Sequence, residues 1–229
     1  MKQLSIIKFS DVNHKKKDWY DFYKSIKNHK INKAPWKNNF FYFPKAEFSI
    51  AWNNYGFFIS FFVAENEVLA EKTKINSKVW QDSCVEFFIG FNETGNRHYS
   101  FEFNSIGAVY AAINNNSKAR KLNRELLKKL IIKTSFKKGK PFHKINYCPW
   151  QIFAFIPFCV FMKKDRKYFR DNSEIMINFF KCGDLLNKPH YLCWNNIDYP
   201  KPNFHLTEFF GKGILETSTA TKKQQVIRK

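Results

Sequence analysis

The chain has 229 residues with 39 Lys and Arg against 19 Asp and Glu, a net charge of +20, and 27 Phe. A hydrophobic share of 44% supplies a sizeable core, so disorder is excluded as the default and one large domain suits the length. No stretch approaches the roughly 20 apolar residues that cross a bilayer, so no membrane partner is expected.

The opening MKQLSIIKFS is too short and too interrupted for a secretory signal. The expected location is therefore the cytoplasm as written, or outside it if an export signal is missing. Residues 1–35 mix Lys, Asp and aromatics and read as an irregular lead-in with one edge strand. Strand-like runs follow at 40–43, 47–52 and 56–63, and the last is apolar on both faces, as in a covered central strand. Across 85–91, Val85, Phe87, Ile89 and Phe91 alternate with Glu86, Phe88 and Gly90. Across 99–104, Tyr99, Phe101 and Phe103 alternate with Ser100, Glu102 and Asn104. The run SKARKLNRELLKKL at 117–130 breaks this pattern. Leu122, Leu126 and Leu130 recur at helical spacing behind a capping Ser117, which predicts a short helix. Strands resume at 131–136, at 150–156 before Pro157, and at 175–182. A loop occupies 187–203. These elements predict an all-β fold, an antiparallel two-sheet β-sandwich of jelly-roll type with one short helix on its rim. The domain is expected to span 1–216, with 217–229 a disordered basic tail.

Successive strand side chains point to opposite faces, so pairing 85–91 with 99–104 through the polar turn 92–96 puts Glu86, Glu102 and Asn104 on one surface. Trp80 precedes the first of these strands. Carboxylates and an amide hydrogen-bond hydroxyls, and an indole stacks on C–H groups, so this surface suits a sugar. A plainly solvated sheet face is the competing reading, and Trp80 alone could cap the core edge. Asp82 and Ser83 could fix the turn before the strand. Trp52 and Trp150 read as core.

Five blocks carry a wider resemblance: WQDSCVEFFIGF at 80–91, YSFEFNSIG at 99–107, NFFKCGD at 178–184, PHYLCWNNI at 189–197 and NFHLTEFFGKGILE at 203–216. In this order they resemble the family-9-like carbohydrate-binding proteins, relatives of the family-9 modules attached to xylanases. The resemblance implies a β-sandwich that binds the terminal unit of a glucan- or xylan-type oligosaccharide without catalysis, in polysaccharide catabolism. It implies stacking by Trp80 and Trp194, with Glu86 and Asn104 bonding hydroxyls. An arginine common two residues before that asparagine falls here at Glu102, which replaces a donor with an acceptor. Glu102 is therefore added to the expected ligand-binding set. No cofactor is expected, although such modules often hold structural calcium, for which Asp82 and the turn 92–96 offer oxygens.

Two alternatives stay open. Glu86 and Glu102 could serve as the paired acids of a glycoside hydrolase. The charge of +20 could serve nucleic acid, but it is scattered over separate segments and no binding motif accompanies it, so that partner is not expected. No G-x-S-x-G, phosphate loop or H-E-x-x-H occurs, and no enzyme is expected. Cys182, His190, Cys193 and His205 make a zinc set only on paper, since the spacing is not of the paired C-x2-C type. Met162 and the scattered histidines offer no convincing axial pair for haem. The five cysteines have no disulfide spacing.

Overall fold

The computed structural model describes residues 1–9, 26–116 and 118–218. Its first strand, β1 (Gln3–Lys8), buries Leu4 and Ile6 on one face. The short β2 (His29–Lys30) adds to β3 (Lys45–Asn53), which turns tightly at residues 54–55 into β4 (Gly56–Glu65). Next come β5 (Val68–Ala70), β6 (Cys84–Gly90), β7 (His98–Asn104) and β8 (Val109–Asn115). Then β9 (Lys118–Lys121) precedes a single helical turn, α1 (Arg124–Leu127). The remainder is β10 (Ile131–Thr134), β11 (Phe142–Lys144), β12 (Cys148–Pro157), β13 (Glu174–Cys182), β14 (Tyr191–Cys193) and β15 (Gly211–Ser218).

Hydrogen bonding runs continuously in the order β10-β12-β4-β3-β1-β15-β13-β6-β7-β8-β9, with β2 and β14 added at the side and β5–β11 forming a separate pair. This long sheet curls so that β3 and β4 lie against β13 and β6. Phe48 of β3 stacks on Phe179 of β13 with ring centroids 3.5 Å apart, and Phe57 of β4 meets Phe87 of β6 edge-on at 6.0 Å. The result is the expected β-sandwich. FFISFFV in β4 is covered on both sides, because Phe57, Ile59, Phe61 and Val63 enter the main core while Phe58 packs on Phe155 of β12.

Three details differ from the sequence reading. β1 is not an edge strand. It lies parallel to both β3 and β15 and closes the seam between the two halves. Residues 40–43 form no strand, and Phe41 and Phe43 are exposed. The expected helix at 117–130 shrinks to Arg124–Leu127, capped by Asn123, whose side chain accepts from the Glu125 N–H at 2.8 Å. Its first part is instead β9, which completes the ladder on β8. Those strand hydrogen bonds satisfy backbone groups that a short isolated helix would leave exposed. Of the tail expected from 217, β15 runs to Ser218 and the rest lies outside the described residues.

Candidate functional site

The site is built on the outer face of β13, β6, β7 and β8. Val85, Phe87 and Ile89 of β6 and Tyr99, Phe101 and Phe103 of β7 all enter the main core. Alternation therefore turns Glu86 and Glu102 outward. Register makes one row across four strands: Phe180 opposite Glu86, Glu86 opposite Glu102, and Glu102 opposite Tyr110.

This face is not open to water as the outer face of many antiparallel sheets is. Glu86 is only 3% and Glu102 only 4% exposed. The 3-10 turn at Val79–Gln81, Tyr191 of β14 and the segment 202–205 cover the row and leave a cleft of about 240 Å³. Trp80, Tyr110, Tyr191 and Phe204 supply its rings, and Glu86, Glu102 and Asp184 its carboxyls. Trp80 stands edge-on to Tyr110 at 5.1 Å, while Phe204 stacks on Phe180 at 4.1 Å. At the rim, His205 stacks on Phe88 and its Nδ1 lies 3.0 Å from Nε2 of His98.

Burial dominates the electrostatics. It pushes the Glu102 carboxyl up to about 8, with Asp184 adding to the shift and the Ser100 hydroxyl opposing it. Glu86 is held well above the usual carboxylate range, by burial first and then by Cys182 and Glu102 beside it. Asp184 is raised by burial, against the bond it receives from the Tyr191 hydroxyl. Burial takes His98 down to about 4, and burial with the neighbouring His98 does the same to His205. Near neutral pH both imidazoles are uncharged and the Glu102 carboxyl keeps its proton, with Glu86 shifted in the same direction. The cleft then presents carboxylic acids, able to donate as well as accept.

Of the five residues expected at the site, Trp80, Glu86 and Glu102 line the cleft. Asn104 does not. It is fully buried in the neighbouring row, where its Nδ2 donates to Lys72 O and to Asp82 Oδ2, and its Oδ1 accepts from the Ala108 N–H at 2.9 Å. Asp82 Oδ2 also accepts from the N–H groups of Glu71 and Lys72, so this pair fixes the turn into β6. Trp194 is the larger correction. It is 4% exposed and lies inside the sandwich, edge-on to both Phe48 and Phe179 at 6.0 Å.

The strand pairing explains the Trp194 result. In β14, Tyr191 pairs with Cys182 on the cleft side, whereas Leu192 pairs with Lys181 on the inner side. Trp194 is two residues beyond Leu192 and follows it into the core. Tyr191, three residues earlier in the same block, is the aromatic that reaches the cleft. Tyr110, Asp184, Phe204 and His205 were also missed. Tyr110 was recoverable from the alternation in VYAAINN at 109–115, since a third paired strand must continue the Glu86–Glu102 row.

The metal readings separate in space. His190 lies against Lys181 at 2.8 Å, Cys193 donates to Lys33 O, and His205 is at the cleft rim, so the paper zinc set does not assemble. Asp82 and the turn 92–96 flank opposite ends of β6, about 20 Å apart at the strand rise, so they cannot share a calcium ion. Among the described residues, Cys84, Glu86 and Cys182 bring potential ligand atoms within 4.8 Å of one another. Burial holds the Cys84 thiol up at about 12 and raises Cys182 further above its ordinary value. With Cys182 Sγ donating to Glu86 Oε1 at 3.0 Å, the trio is a protonated, hydrogen-bonded floor under the cleft.

Comparison with known proteins gives a consistent result. The model of a family described as carbohydrate-binding family 9 matches residues 19–215. A Bacteroides uniformis protein named as a candidate carbohydrate-binding protein is 28% identical, with a TM-score of 0.83 over 94% of this chain and 99% of its own. A family-9 carbohydrate-binding module from Caldicellulosiruptor kristjanssonii is similar in fold at 13% identity. Its complex with glucose gives a TM-score of 0.58, covering 96% of this chain and 98% of that one. Its complex with cellotriose gives 0.60, covering 96% of each chain. None of the curated proteins compared matches the chain.

Proposed function

The chain belongs to carbohydrate-binding family 9, whose members are noncatalytic binding modules, and we propose that its cleft takes the terminal unit of a glucan- or xylan-type oligosaccharide in the service of polysaccharide breakdown. The observation that carries this reading is the convergence of the Trp80 ring with Glu86 and Glu102 in one concave site. Rings give a pyranose its apolar wall, while protonated acids and Asn114 give its hydroxyls partners on both sides of the hydrogen bond. Tyr191 and Phe204 take the part that Trp194 was expected to play.

The direct opposition of Glu86 and Glu102 does not supply hydrolysis. A retaining pair needs one readily ionised nucleophile, and burial raises both of these carboxyls above their ordinary range and so works against ionisation. Nucleic acid is not part of the proposal, since a cleft of acids offers nothing to a phosphate.

Isothermal titration with glucose, cellobiose, cellotriose and xylobiose tests the reading. Binding is expected, with Trp80→Ala weakening it by about 1–3 kcal/mol, the range for loss of a well-packed aromatic contact. Unchanged affinity in that variant would remove Trp80 from the site.

A further inference from the structure

We infer that the cleft prefers a saccharide whose terminal unit carries a protonated amine over the neutral and acidic counterparts. This rests on the saccharide reading above and concerns the class of sugar that the same site selects.

Asp and Glu make up 19 of 229 residues, yet Glu86, Glu102 and Asp184 are three of the thirteen that line the cleft. Lys and Arg make up 39 residues, and none of those among the described residues lines it. The nearby lysines are committed elsewhere. Lys181 is on the inner face of β13, fully buried and ion-paired with Glu65 at 2.9 Å. Lys121 lies outside the lining, with its ammonium 5.8 Å from the centroid of the Tyr110 ring. The two imidazoles at the rim, His98 and His205, face each other and are uncharged at neutral pH. Three acids are thus gathered in a strongly basic chain with no Lys or Arg among the described lining residues.

The walls point the same way. Trp80, Tyr110, Tyr191 and Phe204 line the cleft, and aromatic rings attract a cation and not an anion over their faces, as Lys121 already shows at 5.8 Å from the Tyr110 ring. Carboxyls and aromatic rings together are the lining that receives an ammonium group. A neutral sugar brings no charge to offset the burial that holds both glutamate carboxyls above their ordinary range. An ammonium supplies the missing counter-charge, so one carboxylic acid ionises and its proton passes to the solvent while the ligand keeps its own. An acidic sugar would add negative charge to a cavity that already opposes it.

The test is titration of the full chain with glucosamine, glucose and glucuronate at mildly acidic pH, in two buffers of different ionisation enthalpy. Glucosamine is expected to bind about tenfold or more tightly than glucose, the gain typical of a hydrogen bond to a charged group. It should release close to one proton per ligand, glucose should release none, and glucuronate should bind weakest. Glu102→Gln should bring the glucosamine-to-glucose ratio towards unity. Equal or tighter glucose binding without proton release would overturn the inference and leave the saccharide reading standing. Silence from every sugar would overturn both. The proton count is read on the unmutated chain, so a variant that fails to fold does not decide the matter.

Discussion

Glu86 and Glu102 face each other on adjacent strands with almost no solvent, and this single pairing sets much of the chemistry of the site. Its consequence for stability has a definite sign. An ordinary glutamate loses its proton near 4.5, whereas folded Glu102 keeps it up to about 8. The folded state therefore binds the extra proton, so this contribution is complete below about 4.5 and is lost as pH rises to 8. Glu102→Gln removes this contribution, and should be more stable than the parent by about 4 kcal/mol at the upper end of that window and nearly equal at the lower. Urea unfolding at the two pH values measures this, and identical pH profiles would contradict it. His98 and His205 act in the opposite sense, losing stability as pH falls from 6.5 to about 4, and are common to both proteins. The two glutamates were visible in the sequence because strand alternation is a local property. Their protonation was not, since it arises from a cover built by residues 79–81, 191 and 202–205.

At the scale of elements, β14 decides what the C-terminal aromatics do. A three-residue strand seats Tyr191 beside the cleft and sends Trp194 between the sheets, where the start of β15 closes over it. At Gly211 an added Cβ would run into the Trp194 ring and would come 2.9 Å from Lys2 O, so the backbone must pass directly over the indole. Trp194→Ala should then cost about 3–5 kcal/mol of folding stability, the range for deleting a large buried aromatic. Denaturant melts should show the loss, while the protein that remains folded binds saccharide as before. A variant of normal stability that lost its ligand would place Trp194 at the site after all. The sequence did mark this block as important, but a loop of mixed aromatics carries no parity until its pairing with β13 is known. The same limitation shortened the expected helix. Leu122, Leu126 and Leu130 have helical spacing, yet KARK before them folds back onto the open edge of β8, which ends only three residues earlier, and that pairing carries no signal in the leucine spacing.

For the molecule as a whole, the long curled sheet gives two faces with separate duties. Its inner face buries a phenylalanine-rich core together with the Lys181–Glu65 ion pair, to which the Trp150 indole also donates at 2.7 Å. Its outer face on β13, β6, β7 and β8 carries the acidic, ring-lined cleft. No helix among the described residues is long and apolar enough to cross a membrane. The fold was legible because alternating strands and turn signals recur through the chain. The charge of +20 pointed away from the cleft, because no Lys or Arg among the described residues lines it and net charge does not report a local inversion. All of these proposals require that the cleft receive a saccharide, and a crystal structure of the chain grown with a short oligosaccharide decides it. A terminal sugar is expected beside Trp80 with its hydroxyls on Glu86 and Glu102, and a sugar bound at another surface with this cleft empty would contradict it.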